Sequence, residues 1–216
     1  MDLNLPDLLA SRRTRRHGWA LFDDVLYDMC KAHPRHSKAD VVNAKVGIIA
    51  RAYATGIERK IPSDGTQGSS LANLTSFVAK HGREVDVALA PLRRFAEPLS
   101  AKSLKIIVEQ HGRLVNMLRP LLRDQQSSRS FWSKYMHFHC PVVPVYDSYV
   151  ARAIPSHIRW SSDLEVFTPD PPFDDAYCWY AMRFFRLYGL VKEVRPEFSV
   201  KDIDYYLLGA GVARAE

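Results

Sequence analysis

Apolar side chains recur along this chain at steps of three and four residues, and that spacing constrains the fold more than any other feature. It is clearest from residue 39 to residue 60, where the apolar positions fall on one face of a single amphipathic helix. No stretch sustains the period-two alternation that is typical of a half-buried strand. The sequence therefore predicts an all-α fold. The apolar face of residues 39–60 consists of Val42, Val46, Ile49, Tyr53 and Ile57.

The same criteria place further helices along the chain. Ser100 is the expected N-cap of one helix, with Gly112 as a candidate bend in it. Gly189 is expected to end another helix in the left-handed conformation, and Ser199 with Asp202 resembles a capping box for the last helix. The further predicted helices cover residues 20–32, about 71–78, 83–96, 100–122, 127–138, a stretch that starts after Asp147, 174–188 and about 199–208.

Length and composition indicate one ordinary globular domain over residues 1–216, and an interpretation with two lobes around a cleft stays open. The three cysteines are odd in number and no secretory leader is evident, so we expect reduced thiols rather than a disulfide framework. No apolar run reaches the roughly 20 residues that a membrane-spanning helix needs. We therefore expect a cytoplasmic protein that does not enter a membrane.

The positive charge is unevenly distributed. The net charge is 30 − 24 = +6, and a basic N-terminal segment at about residues 1–19 contributes Arg12, Arg13, Arg15 and Arg16. This segment suits contact with polyphosphate, but a solvated basic arm is an equal alternative. From residue 113 to residue 159 seven basic residues oppose two acidic ones. Such a local field would attract an anion such as a nucleic-acid backbone.

One segment combines a lysine and a carboxylate in different elements. Lys134 lies within a predicted helix, and Asp147, 13 residues later, begins the next one. After that helix, residues 140–146 must run extended, because Pro141 and Pro144 forbid a regular helix. A helix, an extended return and a second helix can bring the two side chains together. Taken alone, Lys134 would more often be a surface lysine and Asp147 an N-cap.

This segment resembles the helix-hairpin-helix DNA glycosylase superfamily, and in particular its 8-oxoguanine DNA glycosylase-fold branch. In that branch a lysine-bearing helix leads through a proline-containing loop, ending in a Val-Pro-Val-Asp-like string, to an aspartate at a helix start. Lys134 occupies the position of the family's lysine. Asp147 occupies the position of its aspartate, directly after Val143-Pro144-Val145-Tyr146. A looser likeness extends over residues 42–59 and 202–208. The resemblance implies a helix-hairpin-helix glycosylase-like helical domain.

The resemblance also implies an activity, the excision of a purine-like base from DNA or a related nucleotide-containing substrate, with or without strand cleavage. Lys134 would be the nucleophile and Asp147 its electrostatic or general-base partner. The flipped base would need aromatic walls, and the DNA backbone would need phosphate-binding groups. The base-pocket candidates are Phe131, Trp132, His137, Phe138, Tyr146, Tyr149 and Trp179, and the phosphate-binding candidates are Ser127, Ser128, Arg129 and Arg152.

One departure from the family motivates a second interpretation. Family members carry a glycine-rich hairpin before the lysine, whereas this chain has no glycine between Gly112 and Gly189. The alternative is a non-catalytic or repurposed module of the same fold, which binds nucleic acid, a modified base or a protein partner in a bacterial antiviral defence system. No cofactor motif is present. A zinc site at His137, His139 and Cys140 is disfavoured because their spacing lacks a second ligand pair.

Overall fold

The computed structural model describes residues 20–53, 55–63, 65–66, 68–123 and 126–213. Within these ranges the chain is all-α, as predicted, with nine α-helices, four short 3-10 helices and no strand. The basic N-terminal segment with Arg12 to Arg16 lies outside the described residues. The helices are α1 (Ala20–Ala32), α2 (Ala39–Ala52), α3 (Ser69–Lys80), α4 (Gly82–Leu89), α5 (Ala101–Leu118), α6 (Arg129–His139), α7 (Ser148–His157), α8 (Asp175–Val194) and α9 (Val200–Ala213).

The helix predicted over residues 39–60 is broken before its end. Helix α2 stops at Ala52, Gly56 adopts a left-handed φ of 63°, and a 3-10 helix covers Ile57–Lys60. Ile57 is nevertheless fully buried, like the residues of the predicted apolar face within α2. The apolar spacing therefore predicted its burial correctly although the helix ends before it. Glycine fits here because a side chain is strained at that φ. The break brings Lys60 to the start of α6, where it contacts Ser127.

Helix α5 runs unbroken through Gly112, so the candidate bend is wrong. Because Gly112 has no side chain, another segment of the chain can instead pack closely against α5 at this position. A Cβ atom at this position would lie 2.3 Å from the Cα of Phe173 and 2.4 Å from the carbonyl oxygen of Pro172. The segment before α8 can therefore pack directly on α5. Ser100 caps α5 as predicted, in a reciprocal arrangement with Ser103.

The predicted end of α8 at Gly189 is also wrong, since this helix continues to Val194. Gly189 has open space around it and ordinary helical geometry, and Val191 beyond it is buried. Burial of the following apolar residues outweighs the cost of a helical glycine, which is about 1 kcal/mol. The predicted cap of α9 is confirmed, because Ser199 and Asp202 exchange hydrogen bonds between side chain and backbone.

Buried apolar side chains from all nine described helices form one continuous core. Helix α6 lies deep within it. Every residue from Phe131 to Phe138 is buried, including the polar side chains of Ser133, Lys134 and His137. A lysine in such a position requires a partner, because an unpaired buried charge is costly. Within the described ranges no helix is both long and apolar enough to cross a membrane.

Candidate active site

Lys134 and Asp147 meet. The Nζ atom of Lys134 lies 3.0 Å from Oδ2 of Asp147, and it also donates to the main-chain carbonyl of Tyr53 at 2.9 Å. The other carboxylate oxygen, Oδ1, accepts the backbone N–H of Tyr149 at 2.9 Å and so caps α7. The carboxylate is therefore fixed by the helix start and pairs with the amine at the same time.

The extended return between α6 and α7 is held by hydrogen bonds from buried side chains. Ser133 Oγ accepts the backbone N–H of Tyr146 at 3.0 Å, which fixes the residue next to Asp147. Three successive carbonyls of the return accept further bonds, so this strand-like segment is satisfied without a sheet. These bonds run from His137 Nδ1 to Val143 at 2.8 Å, from Tyr177 to Pro144 at 2.9 Å and from Tyr180 to Val145 at 2.7 Å.

A second carboxyl group lies behind the lysine. Asp204 of α9 is buried, and burial raises its pKa from 3.8 to about 6. The positive charges of Lys201 and Lys134 act in the opposite direction, while the charges of Asp147 and Asp23 raise the pKa further. Asp204 is thus electrostatically coupled to the Lys134–Asp147 pair, although it is not one of the predicted site residues.

Asp204 belongs to a polar network that joins α1, α9 and the residue that follows α2. Asp23 of α1 accepts hydrogen bonds from the hydroxyls of Tyr53, at 2.5 Å, and Tyr205. Lys201 lies between the two acids, 3.4 Å from Asp23 and 3.8 Å from Asp204. The network holds the ring of Tyr53, the residue whose main-chain carbonyl receives the Lys134 amine. It therefore supports the Lys134 amine through Tyr53.

The first of two adjoining clefts borders Asp147 but not Lys134, and we call it the basic cleft because it is rich in basic residues. Its volume is about 580 Å³. Four cations oppose Asp147 among its described lining residues, so an anion would be attracted to it. The lining consists of Thr55, Gly56, Arg59, Lys60, Arg123, Gln126, Ser127, Arg129, Ser130, Tyr146, Asp147 and Ser148.

The cations of the basic cleft are held by both backbone and side-chain contacts. Lys60 Nζ donates to the carbonyl of Ser127 at 2.6 Å, and the backbone N–H of Arg123 donates to the carbonyl of Lys60 at 2.8 Å. Arg129 pairs with Asp174 at 2.6 Å. Burial, followed by the charges of Arg129 and Arg59, lowers the pKa of Lys60. The crowding of like charges raises the affinity for an incoming anion.

The predicted phosphate-binding residues divide between several places. Ser127 and Arg129 line the basic cleft. Ser128 is buried at the start of α6, and its hydroxyl has no hydrogen-bond partner among the described residues. Arg152 does not line the cleft, because its guanidinium stacks on Tyr149 on the exposed side of α7, 5.0 Å from the ring centre.

The second cleft is walled by aromatic rings, and we call it the aromatic cleft. Its volume is about 510 Å³. The rings of Trp160 and Trp179 meet edge to face at 4.2 Å, and Tyr146 packs against Tyr180 at 5.2 Å. Tyr146 lines both clefts, so they adjoin at the residue before Asp147. The lining consists of Tyr146, Ala151, Ile154, Trp160, Ala176, Trp179, Tyr180 and Arg183.

Two of the seven predicted base-pocket residues, Tyr146 and Trp179, line the aromatic cleft. Tyr149 is 42% exposed and lies outside both clefts. The other four lie in the core, because they belong to the part of α6 from Phe131 to Phe138 that is buried. These four are Phe131, Trp132, His137 and Phe138, each at most 3% exposed.

The polar groups near the end of α6 are engaged in different directions. His137 donates from Nδ1 to Val143, and its Nε2 accepts the hydroxyl of Tyr27 at 2.5 Å. Burial lowers the pKa of His137 to about 3, so the ring is neutral. The thiol of Cys140 donates to the carbonyl of Leu92 at 3.3 Å. In the part of the chain that the structure describes, no group of three metal-ligating side chains converges.

Several site residues were not predicted. Arg59, Lys60 and Arg123 reach the basic cleft through tertiary contacts between segments far apart in sequence. Arg183 could have been found, because it follows Trp179 by four residues and so shares its helical face. Trp160 lies in an irregular stretch whose sequence gave no comparable signal.

Comparisons with protein-family models, with curated proteins and with solved structures returned no match for this chain.

Proposed function

We propose that this protein is a nucleobase glycosylase, with lyase activity as a further consequence of the same chemistry. The observation that carries the proposal is the 3.0 Å contact between the Lys134 amine and the Asp147 carboxylate, beside a basic cleft and an aromatic cleft that share Tyr146. The likeness of this segment to helix-hairpin-helix glycosylases supports the same reading.

The chemistry needs a nucleophile and a proton acceptor at one place. A neutral amine of Lys134 would attack the anomeric carbon of a nucleotide, forming a C–N bond while the bond to the base breaks. The base leaves with the bonding electrons and takes up a proton. Asp147 Oδ2 is within hydrogen-bond distance to receive the proton that the ammonium must first lose. When this proton passes on to the departing base, the restored negative charge of Asp147 would stabilise the cationic character that develops on the sugar.

The two clefts suit different parts of a nucleotide substrate. The cations of the basic cleft would hold the sugar-phosphate backbone, a task for which family members use a glycine-rich hairpin. The rings of the aromatic cleft would stack on a base that has left the helix. Because Tyr146 lines both clefts and precedes Asp147, the bond between base and sugar would lie close to the catalytic pair.

Borohydride trapping tests the lysine mechanism. The wild-type protein would be incubated with duplex and single-stranded oligonucleotides that carry a panel of altered purines, with borohydride present to reduce any imine. We expect a covalent protein–DNA adduct with at least one substrate. Lys134→Gln should give none. Lys134→Arg, which keeps the ion pair but cannot form this imine, should also give none.

Lys102→Gln is the matched control, since Lys102 is an exposed lysine outside both clefts. This variant should retain the adduct at the wild-type level. Thermal melting of each variant would separate a lost nucleophile from a lost fold. No adduct from a folded wild-type protein across the whole panel would overturn the imine mechanism.

A repurposed binding module is the second candidate, and one observation favours it. The Lys134 amine is 2.9–3.0 Å from two acceptors that belong to different segments, the Tyr53 carbonyl and Asp147. Such an arrangement would tie those segments together in a protein without catalytic activity. Salt-dependent DNA binding that persists in a Lys134→Gln/Asp147→Asn variant, with no base release by the wild type, would select this candidate.

A further inference from the structure

One cation of the aromatic cleft, Arg183, has no counter-charge among the described residues. Its guanidinium lies 5.1 Å from the centre of the Trp160 ring, and its buried Nε atom has no hydrogen-bond partner in the part of the chain that the structure describes. Among the residues that the structure describes, no carboxylate pairs with it. A guanidinium has five N–H donors and no acceptor. Most of this donor capacity is therefore unused by the protein.

Arg129 of the basic cleft shows what a satisfied arginine looks like in the same protein. It also stacks on an aromatic ring, with its guanidinium 5.1 Å from the centre of Tyr146, but its Nε donates to Asp174 at 2.6 Å. The two arginines thus share the stacking contact and differ in the counter-charge. Arg183 lines a cleft whose walls are rings, so a planar ligand could stack there and meet its donors.

We infer that Arg183 recognises the edge of the bound base, and that this base is a purine with an oxygen at C6 and a lone pair at N7. The inference rests on the proposed function and adds the identity of the base class. A guanidinium matches two adjacent acceptors in bidentate fashion, and O6 with N7 is such a pair. Guanine, hypoxanthine and xanthine carry it.

The same donors exclude two related bases. Adenine places an amino group at C6, which would oppose a donor with a donor. A purine oxidised at C8 carries a hydrogen on N7 in its keto form, which has the same effect at the neighbouring position. A buried N–H donor that is left unpaired costs binding free energy. Selectivity against these two bases therefore comes from the unpaired donor as well as from the lost hydrogen bond.

Nucleoside binding tests the inference without requiring catalysis. Titration of the protein with inosine and with adenosine would be followed by quenching of tryptophan fluorescence, because Trp160 and Trp179 line the cleft. A second pair, guanosine and 8-oxoguanosine, tests the N7 position. We expect the first member of each pair to bind about ten-fold more tightly or better, which is the range for a bidentate base contact.

Arg183→Met keeps most of the side-chain volume and removes the donors. It should reduce the preferences for inosine over adenosine and for guanosine over 8-oxoguanosine to less than about two-fold. The main cause should be weaker binding of inosine and guanosine. Arg186→Met, an exposed arginine on the same helix, is the matched control and should leave both preferences unchanged. Circular dichroism and thermal melting would establish that the Arg183 variant is folded.

The outcomes separate this inference from the proposed function. Equal binding within each pair, including no binding by any nucleoside, overturns the inference, as does tighter binding of cytidine than of inosine. Base release by the wild type with a base preference that Arg183→Met leaves intact would refute the inference while the proposed function stands. The expected nucleoside preferences without any base release would support the inference and refute the glycosylase proposal.

Discussion

The basic cleft and the aromatic cleft adjoin, yet their contacts differ in kind. In the basic cleft, Arg59 and Arg123 are exposed cations near a fixed carboxylate, and such charges attract phosphate with little regard to orientation. In the aromatic cleft the contacts come from rings and from Arg183, which has no counter-charge among the described residues, and such groups favour a ligand of matching shape and hydrogen-bonding edge. Under the proposed function, this difference would place affinity and selectivity in separate clefts.

If that division is correct, the largest effect should come from the aromatic cleft. Trp179→Ala removes a half-exposed ring that would stack on the base. Stacking of one base contributes roughly 1–3 kcal/mol. We therefore expect kcat/KM for base release to fall about ten- to hundred-fold, while affinity for undamaged DNA and its salt dependence stay within two-fold of the wild type.

Tyr149→Ala is a matched control, because Tyr149 is also 42% exposed but lines neither cleft. It should change base release by less than about three-fold. An equal loss in both variants would mean that exposed aromatic surface, and not the cleft, determines the activity.

A smaller effect is expected from the basic cleft. The double variant Arg59→Gln/Arg123→Gln should weaken DNA binding roughly ten-fold at about 0.1 M salt, and the slope of log affinity against log salt should become shallower by nearly 2. The base preference should not change. Filter binding across a salt series measures the slope.

The double variant Arg35→Gln/Arg94→Gln makes the same change in net charge at exposed positions outside both clefts. A slope that shifts equally in the two double variants would show that overall charge, and not the basic cleft, holds the DNA.

A third effect concerns protein stability and the buried carboxyl group of Asp204. The raised pKa of Asp204 means that the native state binds this proton more tightly than the unfolded state does. The resulting stabilisation is full below pH 3.8 and is lost as the pH rises towards and through about 6. Asp204→Asn removes this titration. Its free energy of unfolding relative to the wild type should therefore rise by roughly 2 kcal/mol between pH 4.5 and pH 7.5.

Urea unfolding at the two pH values measures this change. Asp28→Asn, at an exposed acid of α1, provides the baseline and should show no comparable rise. A flat difference for Asp204→Asn would mean that this carboxyl group is already ionised at pH 4.5 in the native protein.

Periodicity predicted the helices well because burial of one face determines both the pattern and the element. Periodicity failed at Gly56, and the expectation that a glycine ends a helix failed at Gly189; at both positions glycine chemistry and apolar spacing point to different structures. At Gly56 the backbone turns while Ile57 stays in phase, and at Gly189 burial of Val191 carries the helix onward. Only tertiary packing decides between the two influences.

The contact between Lys134 and Asp147 could be predicted because both lie in one short segment whose two prolines limit its paths. The residues that line the two clefts could not be predicted in the same way. Phe131 and Trp132 stand beside the lysine in sequence but lie in the core, whereas Trp160 comes from an irregular stretch. Aromatic character predicts burial, and it does not tell which buried or half-buried rings will border an opening.

Tyr146 gives the two clefts a property that neither has alone. Its backbone is fixed by Ser133, so adjustment is confined to the ring, which is at once a wall of both clefts and the surface on which Arg129 stacks. A ligand that binds in one cleft and shifts the Tyr146 ring changes the shape of the other cleft. Binding of backbone and binding of base would then be thermodynamically linked, with each raising or lowering the affinity of the other by the same factor.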